Sequence, residues 1–155
     1  MPLIIATGSN LGDRFSNLKK AKEKLSNYFS LIEESRVYTS EAVDYKNQPD
    51  FYNQVLSFET PKIEASSLMT QLLAIEAELG RTREIHLGPR IIDIDMLFFD
   101  DHKSETEHLT LPHPKLFERS FVILPLMELE CFKTLKKKYE FHTNFDNSAT
   151  VLNFS

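Results

Sequence analysis

The chain has 155 residues, 41% apolar and 26% charged, about one average domain of sequence with enough apolar surface to build a core. No apolar run approaches the ~20 residues of a membrane span, and the start Met1-Pro2-Leu3-Ile4-Ile5 lacks both the basic segment and the cleavage site of a signal peptide, so the expected location is the cytoplasm. A net charge of -5 argues against nucleic acid or membrane as partners, because basic surfaces hold them, and the lone Cys131 reads as a small buried hydrophobe.

Residues 3–7 form an apolar run that ends in Gly8-Ser9-Asn10-Leu11-Gly12-Asp13, the pattern of a strand entering a turn. Phe15, Leu18, Leu25 and Phe29 then recur at helical spacing among lysines, which predicts an amphipathic helix over 14–28. Ile32, Val37 and Tyr38 suggest a strand over 31–38, and Phe51, Val55, Leu56 and Phe58 another over 51–58, with a loop at 39–49 between them. Pro61 closes that strand. Ala65, Leu68, Met69, Leu72, Ile75 and Leu79 mark a second helix that stops at Gly80. Residues 91–99 are the most strand-like stretch, 109–114 read as extended, 121–130 as helical, and 133–155 as a polar tail without pattern. The order strand-helix-strand-strand-helix-strand predicts an α+β ferredoxin-like sandwich, a single domain over 1–155 with two helices on one face of a mainly antiparallel sheet.

Strand alternation in Ile91-Ile92-Asp93-Ile94-Asp95-Met96 puts both aspartates on one face. Paired carboxylates repel unless solvent or a cation lies between them, so this is either an ordinary exposed strand face or a site for Mg²⁺ carrying phosphates. The arginines bear on that choice, because four of the six are Arg81, Arg83, Arg90 and Arg119, and a guanidinium fork suits phosphate oxygens. With four glycines and no Walker loop, side chains must hold any phosphate. His113 lies in the stiff segment Leu111-Pro112-His113-Pro114, and Glu76 shares the stripe of Leu72 and Leu79, either as an inward hydrogen-bonding strut or at its exposed edge.

In order, Gly8-Ser9-Asn10-Leu11-Gly12-Asp13, Gln48-Pro49-Asp50-Phe51-Tyr52-Asn53, Glu76 with Leu79-Gly80-Arg81-Thr82-Arg83, Gly88-Pro89-Arg90-Ile91-Ile92-Asp93-Ile94-Asp95, Leu111-Pro112-His113-Pro114 and Arg119-Ser120-Phe121-Val122 resemble the motifs of the 6-hydroxymethyl-7,8-dihydropterin pyrophosphokinase family. Only the tail after about Leu129 falls outside the likeness. The resemblance implies a folate-biosynthesis enzyme that moves the pyrophosphoryl group of ATP to the pterin hydroxymethyl group, releasing AMP, with two Mg²⁺ ions on Asp93 and Asp95. It assigns Arg81 and Arg90 to the transferring group, and Arg83, His86, Met96, Thr110, His113 and Arg119 to the nucleotide. The pterin would stack between Phe51 and Phe121, read by Asn53 and by the backbone from Ser40 to Val43. The chain departs from the family pattern at His86-Leu87, at Ser40-Glu41-Ala42 and at His108. Other readings are a degenerate homologue that binds pterin or nucleotide without catalysis, and a two-metal nuclease, which the acidic charge disfavours. Association with other folate-pathway enzymes is a further expectation.

Overall fold

The computed structural model describes residues 1–42, 47–81, 89–105 and 109–152. Strand β1 (Leu3–Ser9) runs into helix α1 (Arg14–Ser26), whose first turn is capped by the Asp13 carboxylate accepting from the Ser16 N–H at 3.1 Å. Then come β2 (Leu31–Glu34), β3 (Tyr38–Ser40), β4 (Phe51–Phe58), α2 (Ala65–Glu78) and β5 (Asp93–Phe99). The short β6 (Ser104–Glu105) and β7 (Thr110–Leu111) pair with each other. A single 3₁₀ turn (Leu116–Glu118), α3 (Ser120–Leu126), α4 (Phe132–Lys138) and β8 (Ala149–Val151) complete the described chain. Among the described residues no helix is long and apolar enough to cross a membrane.

All pairings in the main sheet are antiparallel, in the order β5-β1-β4-β3-β8 with β2 also on β4. Taking β2 and β3 as one interrupted strand, this is the α+β ferredoxin-like order expected. The interruption corrects the single strand predicted over 31–38. Ser35 causes it, because its hydroxyl accepts from the Val55 N–H at 3.0 Å and donates to the Arg36 carbonyl at 2.8 Å, where a continuous ladder would use backbone alone.

Strand alternation sorts the core into two layers. Leu3 and Ile5 pack with Leu18, Ala21 and Leu25 of α1 and Leu68, Leu72 and Ile75 of α2. Ile4, Ala6 and Val55 turn to the other face, where Val122, Ile123 and Leu126 of α3 and Leu135 of α4 cover them. The two helices expected on one face are α1 and α2, and α3 and α4 cover the other face as well. The tail is corrected, since residues predicted to lack pattern form α4 and β8, and Tyr139, Phe141 and Phe145 pack on the second layer. Cys131 is half-buried there, and burial pushes its thiol up to about 11, in keeping with a packing role.

A bulge at Leu97 lets both Leu97 and Phe98 face α3 and α4, while Asp93 and Asp95 keep that same face at the other end of β5. In register, Asp93 lies across from Gly8, and Gly8 across from Asn53. This row is the floor of the site.

Candidate active site

Asp93 and Asp95 are half-buried, with Ile94 and Met96 buried on the opposite face, as the alternation predicted. Two clefts meet at this pair. The first is lined by Gly8, Ser40, Phe51, Asn53, Arg119 and Phe121 together with both aspartates. The second, more open, shares both aspartates and is lined by Glu76, Arg81, Met96, Thr110 and His113.

Each side chain is held by its element. Asn53 on β4 donates to the Ser40 hydroxyl on β3 at 2.8 Å, which orients its amide at the cleft floor. Gly8 matters because a Cβ there would lie 3.4 Å from Asn53 Oδ1 and 3.6 Å from the Phe51 ring. A larger residue would fill the cleft. Phe51 carries the Arg90 guanidinium 4.9 Å above its ring, and Phe121 carries that of Arg119 at 5.6 Å.

Arg90 Nε donates to Asp93 Oδ2 at 2.6 Å, and Arg81 Nη1 donates to Asp93 Oδ1. Arg81 also reaches Glu76 Oε2 at 3.3 Å and the Ile92 carbonyl at 3.2 Å. Glu76 is buried and accepts the Ile94 N–H at 2.7 Å, so it is the inward strut, joining α2 to the outer edge of β5. Burial pushes its carboxyl up, opposed by the Ile94 N–H and by Arg81. Asp95 is pushed up to about 6, first by burial and then by the neighbouring Asp93, against the pull of Arg119, Arg81 and Arg90.

His113 is tied down by its N–H donating to the Leu97 carbonyl at 3.0 Å. Its Nδ1 accepts the Lys115 N–H at 3.3 Å, which leaves the ring proton on Nε2 as a donor. Burial, with Arg119 and Lys115 nearby, lowers its pKa to about 4. Arg119, placed with the nucleotide by resemblance, lines the first cleft, while its charge acts on both Asp95 and His113.

Sequence reasoning gave no role to Asn10, whose Nδ2 donates to Gln48 Oε1 at 2.7 Å and to the Pro49 carbonyl at 3.1 Å. Its Oδ1 accepts the Arg90 N–H at 2.9 Å, so it holds two site segments together. A turn asparagine signals local bonding only, and partners 38 and 80 residues away leave no local mark. Val43, Arg83 and His86, with His108, lie outside the described residues.

Among the described residues no group of three or more His, Cys, Asp or Glu is arranged to hold a metal by itself. The donor set nevertheless suits a cation brought with phosphates. Lining the two clefts, Arg81, Arg90 and Arg119 face Glu41, Glu76, Asp93 and Asp95, so among the described residues the site has no surplus positive charge for a polyphosphate. Two adjacent carboxylates are hard oxygen ligands of the kind Mg²⁺ takes alongside phosphate oxygens.

Residues 4–131 match the family model described as 7,8-dihydro-6-hydroxymethylpterin-pyrophosphokinase. The chain belongs to this pyrophosphokinase family. It is 39% identical over 127 residues to the 2-amino-4-hydroxy-6-hydroxymethyldihydropteridine pyrophosphokinase of Bacillus subtilis, covering 81% of this chain and 75% of that one. With the Aquifex aeolicus protein of the same name it shares 40% over 126 residues, covering 81% and 78%. The bifunctional protein FolKE of Lactococcus lactis is 34% identical over 153 residues, which are 97% of this chain and 42% of that protein. Family membership thus rests on the span that carries both clefts.

Proposed function

We propose that the chain transfers the pyrophosphoryl group of ATP to the hydroxymethyl group of 6-hydroxymethyl-7,8-dihydropterin, releasing AMP, as a folate-biosynthesis enzyme of the cytoplasm, with residues 1–155 acting as one domain. The observation that carries this reading is the Asp93 and Asp95 pair shared by two clefts of different chemistry. The first, with Phe51, Phe121 and the amide of Asn53, suits a flat heterocycle that needs stacking and an edge that both donates and accepts. The second, with Met96, Thr110 and the neutral His113, suits a nucleotide, and the family resemblance would add Arg83, His86 and Arg119 to its contacts.

The row Asp93, Gly8, Asn53 has no side chain between its carboxylate and its amide, so a ligand read by Asn53 has its far edge beside the aspartates. There the hydroxymethyl oxygen bonds to the β-phosphorus while the bond from that phosphorus to the bridging oxygen breaks. AMP leaves with that oxygen, and the hydroxyl proton passes to solvent. Arg81 and Arg90, now paired with Asp93, exchange it for phosphate oxygens and hold the charge that shifts during transfer. Asp93 and Asp95 would hold two Mg²⁺ ions, which when bound supply Lewis acidity and positive charge beside the carboxylates. Catalysis here is positioning and charge neutralisation, and no covalent nucleophile is needed.

Association with another folate-pathway enzyme extends this reading, since the Lactococcus lactis relative and the Folate synthesis bifunctional protein of Arabidopsis thaliana both carry bifunctional names. The deciding experiment is incubation with ATP, Mg²⁺ and the reduced pterin alcohol. AMP and a pyrophosphorylated pterin should form in equal amounts; tight pterin and ATP binding with no AMP would make the chain a binding protein instead.

A further inference from the structure

The tail beyond the family match, which ends at residue 131, reaches back to two walls of the first cleft. Asn147 Oδ1 accepts both the Ser120 N–H at 2.8 Å and the Ser120 hydroxyl at 2.5 Å. Its Nδ2 donates to the Glu118 carbonyl at 2.8 Å and to Asp146 Oδ1 at 2.9 Å, so both ends of the amide are engaged. Ser120 is buried and stands between Arg119 and Phe121, which both line the cleft. Arg119 occupies the position before α3 and makes no side-chain cap to it, so the first N–H of that helix is capped from 27 residues away. Two residues beyond Asn147, β8 begins and pairs with β3, setting Ala149 across from Ser40 and Val151 across from Tyr38. The Leu152 N–H continues the contact to the Val37 carbonyl at 2.8 Å. Without β8, the three-residue β3 would be a sheet edge, and Ser40 on it is the partner that orients Asn53.

We propose that Asn147 is a positioning residue for the pterin: by latching Ser120 to the tail that also pairs with β3, it holds Phe121 over one face of the heterocycle in register with Ser40 and Asn53 at its edge. This rests on the pterin assignment above. The latch acts on the first cleft selectively. Ser40 and Phe121 line that cleft, and Arg119 beside Ser120 is the one group shared with the nucleotide, whereas among the described residues Asn147 makes no hydrogen bond to Arg81, Met96, Thr110 or His113 of the second. Preorganised aromatic and amide groups bind without first being ordered, so loosening them lowers affinity with no contact to the ligand removed.

The test is calorimetric titration of wild type, Asn147→Ala and Phe121→Ala with a non-hydrolysable ATP analogue plus Mg²⁺, and then with the pterin alcohol in its presence, each with a melting curve. Asn147 is only partly buried, so the alanine variant should fold. Asn147→Ala should weaken the pterin by about tenfold and the nucleotide, reached only through Arg119, by a distinctly smaller factor, the scale set by losing neutral hydrogen bonds that act through a wall. A lower melting temperature with both affinities unchanged, or equal weakening of both ligands, would overturn the latch, leaving Asn147 a structural residue only. If Phe121→Ala weakens the pterin while Asn147→Ala does not, this inference alone fails. If Phe121→Ala leaves pterin binding untouched, the cleft assignment fails and the inference with it.

Discussion

Asp95 is the most sharply defined single group in the site. It shares a strand face with Asp93, yet the two Asp93 oxygens are taken up by Arg81 and Arg90, and among the described residues no hydrogen bond to the Asp95 carboxylate is formed. Its charge is therefore held only at a distance, by Arg119, Arg81 and Arg90. Asp95→Ala should lower turnover by at least about a hundredfold, since it removes metal stabilisation of several kcal/mol, while leaving pterin affinity within a small factor. Steady-state AMP production at ordinary Mg²⁺ measures this, and near-normal rates would dismiss a role for Asp95. His113 gives a different kind of test. Its pKa falls from 6.5 to about 4 on folding, so between those values the unfolded chain takes up a proton that the folded chain refuses. The stability it contributes is fully present above pH 6.5 and is lost as pH falls toward 4. Urea midpoints of wild type should therefore drop more steeply across that window than those of His113→Asn; parallel curves would show that the imidazole is not shielded.

At the scale of elements, the site depends on what β1, β4 and β5 place in one row. Gly8 takes no unusual backbone angle, and its importance lies in the missing side chain between Asp93 and Asn53. Gly8→Val should keep the strand but crowd Asn53 and Phe51, weakening the pterin by more than about tenfold, a loss of ~1.4 kcal/mol, with ATP-analogue affinity little changed. Titration of both ligands would expose the opposite result. The α2 to β5 junction is a second such element. Glu76 does for the outer edge of β5 what another strand would do, accepting the Ile94 N–H, and it steadies Arg81 as well. Glu76→Ala should cost about 1–3 kcal/mol, the penalty for a buried donor that loses its acceptor, and Glu76→Gln distinctly less, because an oxygen remains. Urea denaturation of the two variants separates these outcomes.

For the molecule as a whole, the covering of both sheet faces is what makes the first cleft, because α3 brings Arg119 and Phe121 over the face that bears the aspartates. If that layer is integral, Ile123→Ala should destabilise by about 2–5 kcal/mol, as fully buried large-to-small changes do, and a loss under ~1 kcal/mol would mark α3 as peripheral. Much of this architecture was legible in the chain. The strand at 51–58 matched its bounds, and the two-residue alternation around Asp93 and Asp95 held, because each is a local periodicity that the backbone imposes whatever surrounds it. Glu76 was ambiguous from its helical stripe alone, since an inward carboxylate is tolerable only where a donor waits, and the Ile94 N–H comes from 18 residues away. The break at Ser35 was hidden for the same reason, as its hydroxyl competes with a ladder bond to Val55 on another strand. In the tail, the polar-rich α4 and the three-residue β8 are too short for periodicity to mark them, and their conformation follows from the layer and the edge they complete. The sequence by itself determined the elements with strong periodicity, the shared face of the two carboxylates and the family motifs. Tertiary structure alone decided which faces are covered, how Asn10 and Asn147 bind segments far along the chain, and that two clefts meet at Asp93 and Asp95. The physical reason is that periodicity is a property of neighbours along the backbone, whereas a buried hydrogen bond or a cleft wall is satisfied by whichever group the fold brings near.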